Sequence, residues 1–233
     1  MSTVYLIPTV LAPGSLETIP SYVMLAVKKC KVIFAENERT ARRFLKAMDK
    51  EIVIDNFEWY GIDKHDAEQE IIFSKKLKES VDIAIISEAG CPGIADPGQE
   101  LVAIAHKMGA IVKPLVGPSS ILLSLMASGM NGQQFEFVGY LPIDNQQRTQ
   151  RILELQGASN KSNSTKIFIE TPYRNNQLLE TLLKVCDKQT LLCIASNISD
   201  ATEKIITLTI AEWRNKKPEL HKQPVIFLLY AGT

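Results

Sequence analysis

Short β-branched runs alternate with amphipathic stretches through the first half of the chain. Val4–Ile7, Val32–Ala35, Ile52–Ile54, Ile83–Ser87 and Ile111–Leu115 predict strands. Between them, Ser21–Lys29, Glu38–Asp49, Asp66–Glu79 and Gly98–Lys107 predict helices. Pro20 suits a first-turn helix position, where the N–H it lacks would have no intrahelical partner anyway. The runs around Ile83–Ser87 and Val32–Ala35 are apolar on both faces, as strands covered by helices on each side must be. Strand–helix alternation of this kind implies a mainly parallel, doubly wound sheet.

After Pro118 the texture changes. Ser119–Ser128 predicts a helix, with a serine pair at its start as capping residues. Strands follow at Glu136–Val138, Lys166–Glu170, Leu191–Ala195, Ile205–Thr209 and Val225–Tyr230, with helices at Gln147–Gln156, Arg174–Cys186 and Ala211–Asn215. No long helix separates Leu191–Ala195 from Ile205–Thr209, so this second sheet should be mixed. The segment Gly157–Ser164, rich in Gly, Ser and Asn, is expected to be a mobile loop. The pattern divides the chain near Gly117 into two α/β domains, residues 1–116 and 117–233.

Charge narrows the function. Lys plus Arg number 26 and Asp plus Glu number 26, so the basic excess of a protein built to grip a phosphate backbone is missing. Cys30, Cys91, Cys186 and Cys193 form no CxxC pair, and His65, His106 and His221 show no metal-ligand spacing, so no metal is expected. The N-terminus lacks a secretory pattern, and no apolar run approaches the roughly 20 residues of a membrane span. A cytoplasmic protein is expected.

Ligands of open α/β sheets sit beyond the carboxyl ends of the strands. After the fourth predicted strand, Ser87–Gly98 packs Gly90, Gly93 and Gly98 among Pro92 and Pro97. This tight loop brings backbone close to a ligand, or serves only as a crossover. Its spacing fits neither common phosphate-binding motif. After the fifth strand, Val116-Gly117-Pro118-Ser119-Ser120 feeds a helix, and its hydroxyls either grip a polar group or cap the helix. After the second strand, Glu36 ends a buried run and needs a partner. Arg39, Arg42 and Arg43 follow on an exposed helix face, where substrate contact is the alternative to plain solvation.

Taken in order, these loops resemble the tetrapyrrole methylase superfamily, and within it the branch that methylates a ribose 2′-hydroxyl of small-subunit ribosomal RNA. The branch's T-P-I-G-N-L-x-D-I loop is partly kept and lengthened as Pro8–Ile19. Its A-E-D-T-R appears as Ala35-Glu36-Asn37-Glu38-Arg39. Its S-D-A-G-T-P-G-I-S-D-P-G appears as Ser87–Gly98, with Glu88, Cys91 and Ala95 as departures. P-G-P-S-A appears as Val116–Ser120, F-x-G-F-L-P as Phe137–Pro142, and E-S-P-H-R as Glu170-Thr171-Pro172-Tyr173-Arg174.

The resemblance implies two α/β domains, a parallel sheet in the first and a mixed sheet in the second, with S-adenosylmethionine in a cleft between them. It also implies a homodimer without metal. Carried over residue by residue, the cofactor contacts are Pro8, Glu88, Gly90, Cys91, Ile94, Ser119, Ser120 and Tyr173, with the segment around Asn197 closing over the adenine. Arg39, Arg42 and Arg174 are the candidates for substrate contact. Glu36 and Glu17 are the candidate bases for a hydroxyl acceptor.

The departures bear on the substrate. The family's Lys/Arg run after L-P is Ile143-Asp144-Asn145-Gln146-Gln147-Arg148 here, and its A-R-E-L-T-K is Ala195–Asp200, without Arg, Glu or Lys. The acid after Glu36 is Asn37. Three functions stay open: methyl transfer to RNA, which the neutral charge weakens; transfer to a small, tetrapyrrole-type molecule; and S-adenosylmethionine binding without catalysis.

Overall fold

The computed structural model describes residues 2–62 and 67–232. The chain forms two compact units, Met1–Ser119 and Ser120–Thr233. The division therefore falls after Ser119, where the hydrophobic pattern had placed it after Val116.

The first unit holds a parallel sheet of β1 (Thr3–Ile7), β2 (Val32–Ala35), β3 (Glu58–Gly61), β4 (Ile83–Ile86) and β5 (Ile111–Pro114). Its spatial order is β3-β2-β4-β1-β5. From β1 the chain moves outward through α1 (Tyr22–Val27) and α2 (Glu38–Met48) to β3 at one edge. It then returns through α3 (Ala67–Lys78) to β4, and through α4 (Gly98–Lys107) to β5 at the other edge.

Parallel crossovers are right-handed, so reversing direction moves the helices to the opposite face. The core follows this rule. Val23 and Val27 of α1 and Phe44 and Leu45 of α2 pack on Ile33, Ala84 and Ile86. Phe73 and Leu77 of α3 and Leu101 and Ala105 of α4 pack on Val32, Phe34, Ile83 and Ile85. Consecutive strand residues thus face opposite cores, which is why β2 and β4 are apolar throughout.

One predicted strand is displaced. Ile54–Asn56 is a 3-10 turn, and the strand lies later, at Glu58–Gly61. Ile52 is buried while Val53 is 53% exposed, so the short apolar run anchors a loop rather than pairing. The strand was hidden by its polar edge position. Trp59 contributes instead by donating Nε1–H to the Ile54 carbonyl at 3.1 Å. Pro20 precedes the cap Ser21 instead of entering the helix, and its carbonyl accepts from Val23 N. His65 and the expected helix start at Asp66 lie outside the described residues.

The second unit holds β6 (Phe135–Tyr140), β7 (Thr165–Ile169), β8 (Leu191–Ser196), β9 (Lys204–Thr209) and β10 (Val225–Tyr230). Their order is β6-β7-β10-β8-β9. Only β6 and β7 pair in parallel, so the sheet is mixed. Helices α6 (Asn145–Ser162), α7 (Asn175–Val185) and α8 (Ile210–Lys216) cover a core of Ile152, Leu155, Phe168, Leu178, Trp213 and Phe227. Helix α5 (Ser120–Ser128) packs against β9 and β10.

The expected loop at Gly157–Ser164 is mostly helix. Helix α6 continues to Ser162 and ends on Asn163, whose left-handed φ of 50° suits asparagine. Arg148, Ile152, Leu155 and Ser159 form its buried face at helical spacing. Ser159 Oγ donates to the Ser164 carbonyl at 2.7 Å and accepts from Ala231 N at 2.8 Å. Burial of that face outweighs the roughly 1 kcal/mol that Gly157 costs in a helix interior.

Candidate functional site

Because all strands of the first sheet are parallel, the segments after β1, β2, β4 and β5 emerge at one edge. Hydrogen bonds tie them together there. Thr9 N donates to the Gly90 carbonyl at 2.9 Å, and Gly90 N returns a bond to the Thr9 carbonyl at 3.3 Å. Ser87 Oγ donates to the Gly90 carbonyl, and Thr9 Oγ1 to the Ser87 carbonyl, each at 3.3 Å. Cys91 Sγ donates to the Pro118 carbonyl at 3.4 Å. Tyr22 at the start of α1 accepts from Val116 N through its hydroxyl at 2.8 Å.

Glycine is required at two of these junctions. A Cβ on Gly117 would lie 2.0 Å from Cβ of Pro8, so the β1 and β5 ends touch only because it is absent. Gly90 has φ +80°, and a Cβ there would meet Leu11 at 3.2 Å.

The loop after β4 is held by two carboxylates. Glu36 Oε2, at the end of β2, accepts from Glu88 N at 2.9 Å. Asp96 Oδ1 accepts from Gly93 N at 2.7 Å and Gly98 N at 2.9 Å. Glu36, Ser87, Asp96 and Gly98 line one small crevice, floored by Ile62, Ile85 and Ile86. Burial pushes the Asp96 carboxyl above its ordinary value, and the Glu36 charge adds to that, while the two backbone donors oppose it. The Cys91 thiol is raised by burial and by the charge of Asp96.

The expected site residues fall into two groups. Pro8, Gly90, Cys91 and Ser119 belong to the hydrogen-bonded edge of the first unit, with Glu88 and Ile94 exposed on it. Glu17 is exposed on a 3-10 turn, Leu16–Thr18. Arg39 is exposed, whereas Arg42 pairs with Glu38 at 3.1 Å and lies 4.6 Å over the Trp59 ring. Among the described residues, no His, Cys, Asp and Glu group is placed to hold a metal ion. No helix among them is long and apolar enough to cross a membrane.

Ser120, Tyr173, Arg174 and Asn197 belong to the second unit. Tyr173 is 70% exposed and meets His221 edge-on at 5.8 Å. Arg174 Nε and Nη2 donate to Glu170 Oε1 at 3.0 and 2.6 Å, so its charge is already matched. Glu170 Oε2 and Asn175 Oδ1 are buried without a hydrogen-bond partner among the described residues. Asn197 sits at φ 52° and joins neighbouring loops, its Nδ2 donating to Thr202 Oγ1 at 3.1 Å and Gln223 Oε1 at 3.4 Å.

Residue reasoning missed Asp96 and undervalued Asn37. Asp96 sits three residues after Gly93 and two before Gly98, a spacing that favours a carboxylate closing its own turn. Asn37 caps α2 by accepting from Thr40 N at 3.1 Å, a role its place before an amphipathic run signals. Its Nδ2 also donates to Glu88 Oε1 at 3.5 Å.

Residues 3–213 match the tetrapyrrole (corrin/porphyrin) methylases. The chain is 30% identical over 219 residues to ribosomal RNA small subunit methyltransferase I of Bacillus subtilis, covering 93% of this chain and 71% of that one. It is 27% identical over 230 residues to the protein of that name from Vibrio cholerae, covering 97% and 76%. Uroporphyrin-III C-methyl transferase from Thermus thermophilus, solved with S-adenyl homocysteine, shares the fold with a TM-score of 0.59 at 16% identity, covering 99% of this chain and 97% of that one. Fold and sequence together define a methyltransferase. More particularly, the chain belongs to the tetrapyrrole (corrin/porphyrin) methylase family.

Proposed function

We propose that this chain transfers a methyl group from S-adenosylmethionine to RNA of the small ribosomal subunit, at a ribose 2′-hydroxyl. The observation that carries the cofactor assignment is the character of the strand-end loops. Residues 8–18, 87–98 and 115–119 contain no Lys, Arg or His, while Glu17, Glu88 and Asp96 lie within them and Glu36 beside them. A site of carboxylates and close backbone suits a cationic sulfonium and ammonium, and does not suit a phosphate. Exposed Ile94 and Val116 supply apolar surface for an adenine ring. The acceptor assignment rests on the similarity to the ribosomal RNA methyltransferases.

Bound at these loops, S-adenosylmethionine would supply an electrophilic methyl, with the electron pair of the C–S bond leaving on sulfur. The protein's share is chiefly alignment, worth roughly 7–11 kcal/mol in favourable systems. The Glu36 and Asp96 contacts fix the loop that carries Glu88, Cys91 and Ile94. The hydroxyl proton must also leave, and Glu17, exposed on its turn, is the candidate to receive it. A homodimer in the cytoplasm completes the proposal, and light scattering of the purified chain tests the dimer.

A small-molecule acceptor is the alternative, and one observation favours it. Residues 141–147 contain no Lys or Arg, and Arg148 is only 1% exposed, donating to the Ile143 carbonyl, Asn145 Oδ1 and Thr181 Oγ1. The remaining cation of this segment is therefore internal. The test is transfer of isotope-labelled methyl from S-adenosylmethionine into small ribosomal subunits, into their free RNA, and into a tetrapyrrole. Label in the RNA that digestion recovers as a 2′-O-methyl nucleotide supports the assignment; label in the RNA without that nucleotide contradicts the ribose assignment, and label in the tetrapyrrole alone replaces the acceptor.

A further inference from the structure

We propose that Glu36 and Asn37 are positioning residues that together orient Glu88, with Glu36 holding its backbone and Asn37 its side chain, so that Glu36 is not the proton acceptor. The inference rests on the S-adenosylmethionine assignment above, because it concerns how the loop for that ligand is set.

The geometry is local and consistent. Glu36 N donates to the carbonyl of Ile86, the last residue of β4, at 3.0 Å, which extends the β2–β4 pairing by one residue beyond the end of β2. That register puts the Glu36 carboxylate against the first turn of the Ser87–Gly98 loop, where Oε2 takes the Glu88 amide at 2.9 Å. That oxygen is engaged in holding the loop backbone, which is the work of a positioning group. The next residue, Asn37, has its side chain split between two tasks. Oδ1 caps α2 through Thr40 N, and Nδ2 points to Glu88 Oε1.

Asn37 and Glu88 are matched in charge: a carboxylate at position 37 would repel Glu88 at that separation, while the amide donates a hydrogen bond to it. At the far end of the same loop, Asp96 closes the turn and lines the crevice that it shares with Glu36.

The test uses the full chain and three variants: Glu36→Gln, Glu36→Ala and Asn37→Asp. Affinity for S-adenosyl homocysteine is read by calorimetry, with kcat and KM for S-adenosylmethionine measured beside it. Glu36→Gln keeps an acceptor and should weaken affinity only a few-fold, with the rise in KM outweighing any fall in kcat. Glu36→Ala removes the acceptor and should weaken affinity by about five- to tenfold, so that glutamine rescues what alanine loses. Asn37→Asp still caps α2 and should melt like the parent, yet bind the ligand several-fold more weakly. A fall in kcat of about 10²–10⁴ for Glu36→Gln at unchanged KM would overturn the proposal and make Glu36 the base. Parental affinity in Asn37→Asp would remove Asn37 from it. If Glu36→Ala fails to fold, the other two variants decide. Absence of binding by the parent chain instead counts against the cofactor assignment itself.

Discussion

Gly117 and Pro8 are in contact through a missing atom: the Cβ of any other residue at 117 would lie 2.0 Å from the Pro8 Cβ and 2.6 Å from its Cγ. Proline's ring cannot rotate away, and its backbone is fixed at the end of β1. Gly117→Ala must therefore push β1 and β5 apart. Overpacking of this kind costs about 1–3 kcal/mol, readable as a lower urea midpoint. Gly93→Ala makes the contrast. Its Cβ meets nothing within 4 Å, and only the φ of +82° opposes it, so about 1–2 kcal/mol of backbone strain is expected. An undiminished midpoint for Gly117→Ala would mean that the two strand ends are not in contact.

Asp96 gives a pH signature. Its carboxyl is raised above 3.8 in the folded chain, chiefly by burial. The folded state then holds a proton that the unfolded chain releases. Asp96 supports folding most below 3.8, and that support is lost as pH rises through the elevated folded value. Asp96→Asn retains an acceptor for Gly93 N and Gly98 N without the buried charge. The variant's stability relative to the parent should therefore increase between acid and neutral pH, measured by denaturant midpoints across that window. A difference independent of pH would show that Asp96 does not titrate there.

The cysteines divide by environment. Burial pushes the Cys30 and Cys186 thiols up to about 12, and Cys193 is raised as well and fully buried. Cys91 is the partly exposed one, at the centre of the proposed ligand loop. In the native protein a thiol reagent should modify Cys91 first and slowly, since thiolate is the reactive form. Saturating S-adenosyl homocysteine should slow that further. Equal labelling with and without it would separate Cys91 from the ligand site.

Arg148 tests the substrate question from the other side. Replacing it with Met leaves the Ile143 carbonyl and its side-chain partners short of donors, at a cost of about 1–3 kcal/mol. A residue that gripped phosphate would also lower the salt slope of RNA retention by about one. The buried geometry leads us to expect the stability loss with an unchanged slope.

How much of this was visible in the residues varies by element. The strands β2 and β4 were legible because burial on both faces leaves an unbroken apolar run. Strand β3 was not, because an edge strand with the sequence Glu58-Trp59-Tyr60-Gly61 shows no such pattern. The end of α6 was hidden by Gly, Ser and Asn, whose local preference is overruled by the burial of Ser159. The strand-end loops could be located from glycine and proline. The Asp96–Gly93 turn is local, and its spacing carries the signal; the pairing of Glu36 with Glu88 depends on strand order, which no local spacing reveals.

The most direct measurement is calorimetric titration of the purified chain with S-adenosylmethionine and, separately, with S-adenosyl homocysteine. Saturable binding of one ligand per chain is expected for both, with affinity weakened in Glu36→Ala. A folded sample that binds neither would contradict the central claim and leave a methylase fold serving another purpose.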